Sequence, residues 1–435
     1  MSADNNAVDS PSGVPPRSHQ ERPSQPTFTG SGMRALLYSH DTLGLGHISR
    51  TAKICRALKC AYPELSILVV TGSPVSIQAR LGDGVDYIKL PSVKKLADER
   101  YTSRELKNSF ERTLALRSQL ILSAVREFAP HVMLVDHAPL GVKGELLPTF
   151  SWLAAHDNCT QVALGLRDVL DEPSSVIERW KKQGVYGVLR DTYKRILIYG
   201  DANVFNPVIE YEFPQDIAAK TSFCNFVSDH RQAHTQLSEN GDRAPEKQSV
   251  VVTIGGGDYY GREVIGTYLD ALKEFAGRVD FTSEIITGPL IDPALFAELC
   301  GKAQGLPVVL HKSVDDIYSL LRNSDLVIAT GGYNTTIEAL TYANRALIIP
   351  RVTMRREQQI RADKLASLGL VSTLHPETLT TTRLFSQVER QLALSETPLE
   401  KARREKTIKL DSAERAAEAL GEMLQSAAAK TKMER

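Results

Sequence analysis

Short apolar runs alternate with helix-length amphipathic segments from Met33 onward. In the first half the runs are ALLYS (35–39), SILVVTG (66–72), DYIKL (86–90), HVMLVD (131–136), TQVALGL (160–166) and RILIYG (195–200). Between most of them apolar residues recur with a helical period, as at Ile48, Ala52, Cys55, Leu58 and Tyr62. Buried strands that alternate with helices predict a parallel sheet covered by helices on both faces.

The same alternation restarts after a polar stretch that contains Gly and Pro, residues 229–248, which we predict to be an interdomain linker. The later runs are SVVVTIGGG (249–257), TSEIITG (282–288), PVVLH (307–311), DLVIATGG (325–332) and RALIIP (345–350), and a charged helix is predicted over about 396–428. We therefore expect an α/β protein with two facing, doubly wound, Rossmann-like domains, at 33–228 and 249–395. A C-terminal helix and tail would follow over 396–435. Ligands of such sheets bind beyond the carboxyl ends of the strands, which indicates an interdomain cleft.

Composition narrows the class of protein. A length of 435 residues suits two domains, and 52 basic against 52 acidic residues leave no strong field to attract nucleic acid. Residues 1–32, rich in Ser and Pro, are predicted to be a disordered tail. The five cysteines have no metal-type spacing, which is typical of reduced thiols in a cytoplasmic protein. No apolar run approaches the roughly 18–20 residues of a membrane-spanning helix, and peripheral membrane contact stays open.

The stretch ATGGYNTTIEAL (329–340) predicts a phosphate site. Gly331 and Gly332 let backbone approach a ligand closely, while Asn334 and Thr335 offer side-chain donors beside the free N–H groups of a helix start. Glu338, about one turn further on, could accept hydrogen bonds from ribose hydroxyls. The alternative is a glycine turn and a Thr/Asn helix cap with a solvated glutamate.

Two further strand ends offer groups to the same cleft. PRVTMRREQQ (350–359) carries Glu357 and Gln358, and a carboxylate beside a carboxamide suits sugar hydroxyls. TIGGGDYYG (253–261) carries Gly256 and Gly257, whose backbone could approach a pyrophosphate. A solvated helix start is the alternative for Glu357 and Gln358.

GGYNTTIEAL, the following ALIIP strand and EQQ closely resemble the donor-site signature of the GT-B glycosyltransferase superfamily. Within it they are most similar to the MurG-like peptidoglycan N-acetylglucosaminyltransferases. The resemblance implies that diphosphate is held at Gly332, Asn334 and Thr335, ribose at Glu338, and the sugar at Glu357 and Gln358. It implies that the base lies near HKSVDD (311–316), where Ser313 and Val314 stand in the place of the family's frequent aromatic cap. Thr330 stands where plant relatives carry a phosphate-binding histidine.

GLGHISR (44–50) resembles the first loop of the same superfamily, in which Gly-x-Gly-His ends the first strand and starts the first helix. Here these residues are Gly44, Gly46 and His47. The resemblance implies that His47 faces the cleft, where its imidazole could act as general base and the helix N-terminus would disfavour imidazolium. Asp136, at the end of a predicted strand, is expected to orient the ring. Alternatively, His47 caps its helix or binds phosphate, and Asp136 caps the next helix.

Other polar residues after strand ends are candidates for substrate contact. His40 and Asp41 precede the first glycine turn. GLRDVLDEP (165–173) carries Arg167 and Asp168 and resembles a block in MurG-like glycosyltransferases, where its position would suit acceptor binding. A charged loop that caps a helix is the equally simple alternative.

Together these residues predict transfer of a hexosyl group, N-acetylhexosaminyl groups included, from a UDP-sugar to an acceptor hydroxyl or amine. The acceptor would be a small molecule, a lipid-linked compound or a glycan. We expect no cofactor besides the UDP-sugar co-substrate. We also expect no metal, because the chain has no Asp-x-Asp motif and no His/Cys cluster with ligand spacing.

Three alternatives share the architecture. GLGHISR also resembles the loop of the UDP-sugar hydrolase of pseudaminic acid biosynthesis, but insert-like helical stretches near 93–128 and 172–195 favour an acceptor larger than water. A UDP-sugar 2-epimerase is the second alternative. The third is a non-catalytic nucleotide-sugar-binding protein, which the surviving base and donor residues disfavour.

Overall fold

The structure is a computed structural model that describes most of the chain. The described residues are 32–40, 46–73, 81–96, 100–156, 160–228, 247–255, 259–353, 355–395, 397–405, 409–410 and 412–433. Several sequence predictions lie outside them: the tail up to residue 31, linker residues 229–246, Asp41, Gly44, Gly256 and Gly257.

The N-terminal lobe is built on a parallel seven-stranded sheet with the order β3-β2-β1-β6-β7-β8-β9. Its strands are β1 (Arg34–Ser39), β2 (Ser66–Thr71), β3 (Val85–Lys89), β6 (Val132–Asp136), β7 (Gln161–Arg167), β8 (Tyr193–Tyr199) and β9 (Thr221–Phe223), and β4 (Val93–Lys95) pairs separately with β5 (Tyr101–Ser103). Its helices are α1 (Gly46–Ala61), α2 (Phe110–Phe128), α3 (Leu147–Ala155), α4 (Pro173–Lys182), α5 (Val185–Asp191), α6 (Pro207–Glu210) and α7 (Gln215–Ala218).

The C-terminal lobe is built on a parallel six-stranded sheet with the order β12-β11-β10-β13-β14-β15. Its strands are β10 (Gln248–Thr253), β11 (Phe281–Ile286), β12 (Val308–His311), β13 (Leu326–Ala329), β14 (Ala346–Ile348) and β15 (Ser372–Thr373). The helices from here on are α8 (Tyr259–Glu274), α9 (Pro293–Ala303), α10 (Ile317–Arg322), α11 (Tyr333–Tyr342), α12 (Glu357–Ser367), α13 (Thr381–Leu392), α14 (Pro398–Arg404) and α15 (Ser412–Met433).

The strand order reverses beside β1 in one sheet and beside β10 in the other, which defines a doubly wound fold in each lobe. The central strands are buried along almost their whole length, as their continuous apolar runs predict. The prediction of two Rossmann-like sheets is therefore confirmed. The chain segments that follow β1, β6, β7, β13 and β14 lie at the carboxyl ends of the strands, where the candidate site forms.

Two details differ from the sequence predictions. The stretch near 93–128, predicted to be helical, contains the β4–β5 hairpin before α2, because Val93 is buried and begins an antiparallel pairing. The single helix predicted over about 396–428 is two helices, α14 and α15. Helix α15 returns to the N-terminal lobe and packs on α1, because its buried face, including Leu420 and Leu424, shares a core with Leu58.

Among the described residues, every helix is too short or too polar to cross a lipid bilayer.

We expect two helical glycines of the C-terminal lobe to respond in opposite ways to alanine. A Cβ at Gly261 in α8 would lie 2.1–2.9 Å from three side-chain atoms of buried Ile254, so Gly261→Ala should lower the free energy of unfolding by about 1–3 kcal/mol. A Cβ at Gly301 in α9 meets nothing within 4 Å, so Gly301→Ala should raise it by about 0.5–1 kcal/mol. Urea unfolding followed by circular dichroism measures both, and equal effects would contradict the packing of α8 on Ile254, which follows β10.

Candidate functional site

His47 and Asp136 are in direct contact between α1 and the end of β6. The Nδ1 atom of His47 lies 2.6 Å from Oδ2 of Asp136, and Arg50 binds the other carboxylate oxygen through Nε at 2.9 Å and Nη2 at 2.6 Å. Nη2 of Arg50 also lies 3.0 Å from His47 Nδ1, but a ring nitrogen that donates to a carboxylate cannot accept from a guanidinium. The shorter, charge-assisted contact decides the tautomer, so Nδ1 carries the proton and Nε2 keeps its lone pair.

The surroundings keep His47 neutral and Asp136 charged. Burial lowers the pKa of His47, against the opposing effect of the Asp136 carboxylate, and nearby Arg50 and Arg167 lower it further. Burial alone would raise the pKa of Asp136, but Arg50 and His47 outweigh it and hold that pKa well below its usual range. A neutral imidazole that is oriented by a carboxylate can accept a proton from a hydroxyl group.

His47 belongs to a cluster of three imidazoles at the carboxyl end of the first sheet. The ring centroids of His40, His47 and His137 lie 5.1–5.9 Å apart. Burial, with the neighbouring positive charges, lowers the pKa of His40 and His137 well below the usual value. Within the described part of the chain, Nδ1 of His40 and Nδ1 of His137 are buried without a hydrogen-bond partner. Two buried polar atoms without partners are uncommon and point to a site for a ligand.

His137, which directly follows Asp136, was not among the residues predicted from the sequence. Its φ of 65° is in the left-handed region, which few non-glycine residues adopt and which is frequent at functional sites. Nη2 of Arg167 lies 3.3 Å from its Nε2, so that nitrogen accepts and the unpartnered Nδ1 carries the proton. The position of His137, directly after a strand that ends in a candidate carboxylate, is the feature of the sequence that could have indicated it.

The residues predicted to bind the donor line the contact between the two lobes. Nδ2 of Asn334 donates to the carbonyl of Gly46 at 2.9 Å, and Nζ of Lys53 lies 3.5 Å from Oε1 of Glu338. Gly332 is the N-cap of α11 and has no side chain that could accept from the first N–H groups of the helix. These N–H groups have no partner within the helix. The start of α11 with Asn334 and the start of α1, which carries His47, are therefore adjacent across the cleft.

Gly331 and Gln358 pack against each other. A Cβ at Gly331 would lie 3.0 Å from Cβ of Gln358 and 3.1 Å from its carbonyl oxygen, so this glycine allows close packing on the start of α12. Oε1 of Gln358 accepts from the backbone N–H of Arg351 at 3.0 Å. Thr335 and Val314 are partly exposed, and Val314 packs against the core that the lobes share.

Glu357 and Arg167 form an ion pair across the cleft, with Nη2 of Arg167 2.8 Å from Oε2 of Glu357. Burial would raise the pKa of Glu357, but Arg167 and three further arginines outweigh it and lower that pKa. Both side chains line a cavity of about 640 Å³ that also reaches His40, His47 and His137.

Asp168, which the sequence predicts to contact an acceptor, pairs in the structure with an arginine of the C-terminal lobe. Its carboxylate is fully buried, and Nε and Nη2 of Arg361 each donate to one of its oxygens at 2.8 Å. Nη1 of Arg361 donates to the carbonyl of Gly331 at 3.0 Å. Asp168 therefore ties the lobes together, while Arg167, one residue earlier on β7, faces the cavity.

The described residues contain no group of three or more His, Cys, Asp or Glu side chains arranged to hold a metal ion.

The chain is similar in sequence to known glycosyltransferases. Residues 281–420 match the glycosyltransferase family 28 C-terminal domain. Over 329 residues the chain is 27% identical to an uncharacterized glycosyltransferase of Methanosarcina acetivorans, which covers 71% of this chain and 77% of the relative.

Solved structures share the whole architecture. The glycotransferase of kitacinnamycin superimposes with a TM-score of 0.62 and 16% identity, and the match covers 91% of this chain and 99% of that one. MurG of Acinetobacter baumannii gives a TM-score of 0.56 and 13% identity, with coverage of 90% and 99%. The chain therefore has the GT-B fold, as the sequence resemblance implied. Its C-terminal part, residues 281–420, also matches a domain of glycosyltransferases.

We expect the buried ion pair between Asp168 and Arg361 to contribute far more to stability than an exposed ion pair of similar geometry. Arg361→Met leaves the buried Asp168 carboxylate without its partner and should lower the free energy of unfolding by about 3–5 kcal/mol. Arg262 binds Glu298 through Nη2 at 3.0 Å on the surface, so Arg262→Met should cost less than about 1 kcal/mol. Urea unfolding compares the two variants, and similar costs would contradict the role given to Asp168.

Proposed function

We propose that the chain transfers a hexosyl group, N-acetylhexosaminyl groups included, from a UDP-sugar to an acceptor hydroxyl or amine. His47 would act as general base and Asp136 as its orienting carboxylate. The observation that carries the proposal is the 2.6 Å contact between His47 Nδ1 and Asp136, because His47 also lines the cavity between the lobes. The ring nitrogen that does not bind Asp136 is then the group available to an acceptor.

The proposed step is a displacement at the anomeric carbon of the donor sugar. Nε2 of His47 takes the proton of the acceptor hydroxyl while the oxygen forms a bond to the anomeric carbon. The bond from that carbon to the diphosphate breaks, and UDP leaves with the electron pair. The resulting imidazolium is stabilised by the Asp136 carboxylate 2.6 Å away.

The leaving diphosphate would bind at the start of α11. Its negative charge would be stabilised by the unpaired N–H groups of the helix, by the positive end of the helix dipole and by donors from Asn334 and Thr335. In the same proposal Glu338 binds the ribose hydroxyls, Glu357 and Gln358 bind the sugar, and the base lies near Val314. The adjacency of Asn334 to Gly46, one residue before His47, supports this arrangement.

Transfer is favoured over hydrolysis by the cavity in front of His47. About 640 Å³ is within the range of pockets that bind small organic molecules, whereas a hydrolase needs room for only one water on that side. A 2-epimerase would likewise need no second substrate there.

We expect His47→Ala to lower kcat about 10²–10⁴-fold without weakening nucleotide binding, because the imidazole acts on the acceptor and not on the nucleotide. A thermal-shift screen against UDP, dTDP, GDP and UDP-sugars identifies the nucleotide. Turnover is then measured as UDP release with a panel of acceptors. His156→Ala, on an exposed histidine at the end of α3, serves as the matched control and should keep normal turnover.

The products separate the remaining alternatives. Free sugar formed without an acceptor would indicate a hydrolase, interconversion of sugar nucleotides would indicate an epimerase, and UDP binding without turnover would indicate a binding protein. Normal turnover by His47→Ala would exclude the proposed base.

The pH dependence should show a base with a lowered pKa. Transfer needs neutral His47, so kcat/KM should rise with pH through the pKa of His47 and then level off. Because burial lowers that pKa below 6.5, the half-maximal point should lie below pH 6.5.

Asp136 raises the pKa of His47, so Asp136→Asn should move the half-maximal point to lower pH while reducing kcat, since the ring loses its orienting partner. A pH–rate profile of both proteins measures this, with circular dichroism to verify folding. A half-maximal point above pH 7, or a shift to higher pH in Asp136→Asn, would contradict the assignment.

A further inference from the structure

The cavity in front of His47 has an excess of positive charge. Its cationic lining residues are Lys143, Arg167, Arg179, Arg351 and Arg355. Glu357 is the one carboxylate among the described lining residues, and Arg167 binds it at 2.8 Å. Behind the wall, Oδ2 of Asp171 lies 3.9 Å from Nε of Arg355, so the positive charges still outnumber the negative ones. Cations that converge on a partly enclosed space focus their field there and raise the local concentration of anions.

The same cavity has an apolar wall. Trp180 is almost fully buried beneath it, and Leu140, Leu170 and Val185 contribute further apolar surface. A ligand that fits both parts carries an anionic group on an apolar body.

The segment that carries Lys143 has an unusual backbone conformation. Lys143 has a φ of 48° in the left-handed region, between Gly141 at 69° and Gly144 at 87°. Its ammonium group lies 5.5 Å from the centre of the Tyr101 ring. Backbone conformations of this kind in non-glycine residues cluster at active sites and ligand-binding sites.

A buried ion pair anchors this wall. Nε and Nη2 of Arg117 bind the two carboxylate oxygens of Glu145 at 2.6 and 2.8 Å, and the hydroxyl of Tyr38 donates to Glu145 at 2.5 Å. Because Glu145 follows Lys143 by two residues, these contacts tie the backbone of the loop from β6 to α3 to the sheet beside Lys143.

We propose that the acceptor carries a carboxylate or phosphate group on an apolar body, and that Lys143 and Arg179 bind this anion while the acceptor hydroxyl lies at His47. Only the placement of the hydroxyl depends on the proposed function. Lys143 and Arg179 belong to the N-terminal lobe. Among the described residues predicted to bind the donor, Glu357 alone lines the cavity, which favours the acceptor as the source of the anion. Lysine and arginine bind such groups through charge-assisted hydrogen bonds.

A pair of probes that differ only in charge tests this. Isothermal titration calorimetry of the full chain compares 6-hydroxy-2-naphthoate with its neutral amide, 6-hydroxy-2-naphthamide. We expect the carboxylate to bind at least about tenfold more tightly at low salt and to lose this advantage as salt rises. Equal affinity of the two probes would overturn the proposal.

Variants locate the anion. Lys143→Gln with Arg179→Gln should abolish the preference for the carboxylate and leave the affinity for the amide unchanged. Lys182→Gln with Arg112→Gln, at exposed residues that do not line the cavity, is the matched control and should keep the preference. A preference that survives in the Lys143/Arg179 variant would overturn the proposal. A melting temperature near that of the wild type verifies that each variant is folded.

A second arm examines the donor as the source of the anion. If UDP-glucuronate binds more tightly than UDP-glucose, and Arg351→Gln with Arg355→Gln removes that difference, the cations serve the donor sugar and the proposal is overturned. Comparable affinities for the two nucleotides support it. Failure of the proposed function would look different: the naphthoate preference would persist although no UDP-sugar binds or turns over.

Discussion

Arg361 joins three parts of the molecule through one guanidinium group. It extends from α12 of the C-terminal lobe to the Asp168 carboxylate just after β7, and its third nitrogen donates to the carbonyl of Gly331 before α11. Removing both charges from water has a high cost, which only this saturated set of hydrogen bonds offsets. The pair therefore favours one relative position of the lobes, in which Arg167 meets Glu357 and Asn334 meets the carbonyl of Gly46.

The sequence predicted the features that depend on local patterns of residues. It did not predict contacts between side chains that are distant in the chain. Apolar runs and glycine turns predict strands and helix starts, and adjacent strands of a parallel sheet end at one edge, so His47 and Asp136 could be paired. Asp168 and Arg167 both follow the same apolar run, so the local sequence does not distinguish them. Asp168 is buried in an ion pair because of Arg361, which lies 193 residues later, whereas Arg167 lines the cavity. The return of α15 to α1 and the packing of Gly331 against Gln358 likewise depend on the assembled lobes.

The shifted pKa values of the site have a common cause, since the titratable groups are buried and lie close to arginines. Burial lowers the pKa of His40, His47 and His137, and the surrounding positive charges lower it further. The Asp136 side chain, in contrast to the three neutral imidazoles, is charged, because Arg50 stabilises it as a carboxylate. This carboxylate selects one tautomer of His47. An anionic carboxylate beside a neutral imidazole is therefore the resting arrangement, and it arises without any group adopting an unfavourable protonation state.

The cationic cavity and the neutral base act together if the acceptor is an anion. The guanidinium groups near His47 disfavour its protonated form, and so they weaken it as a base when the cavity holds no negative charge. An anionic group bound by Lys143 and Arg179 would offset part of this positive field and raise the pKa of His47 within the complex. Binding of the acceptor would then strengthen the base that is needed to deprotonate it, whereas a neutral molecule in the same cavity would leave the base weak. The charge that selects the acceptor would thereby also limit proton transfer to the correct complex.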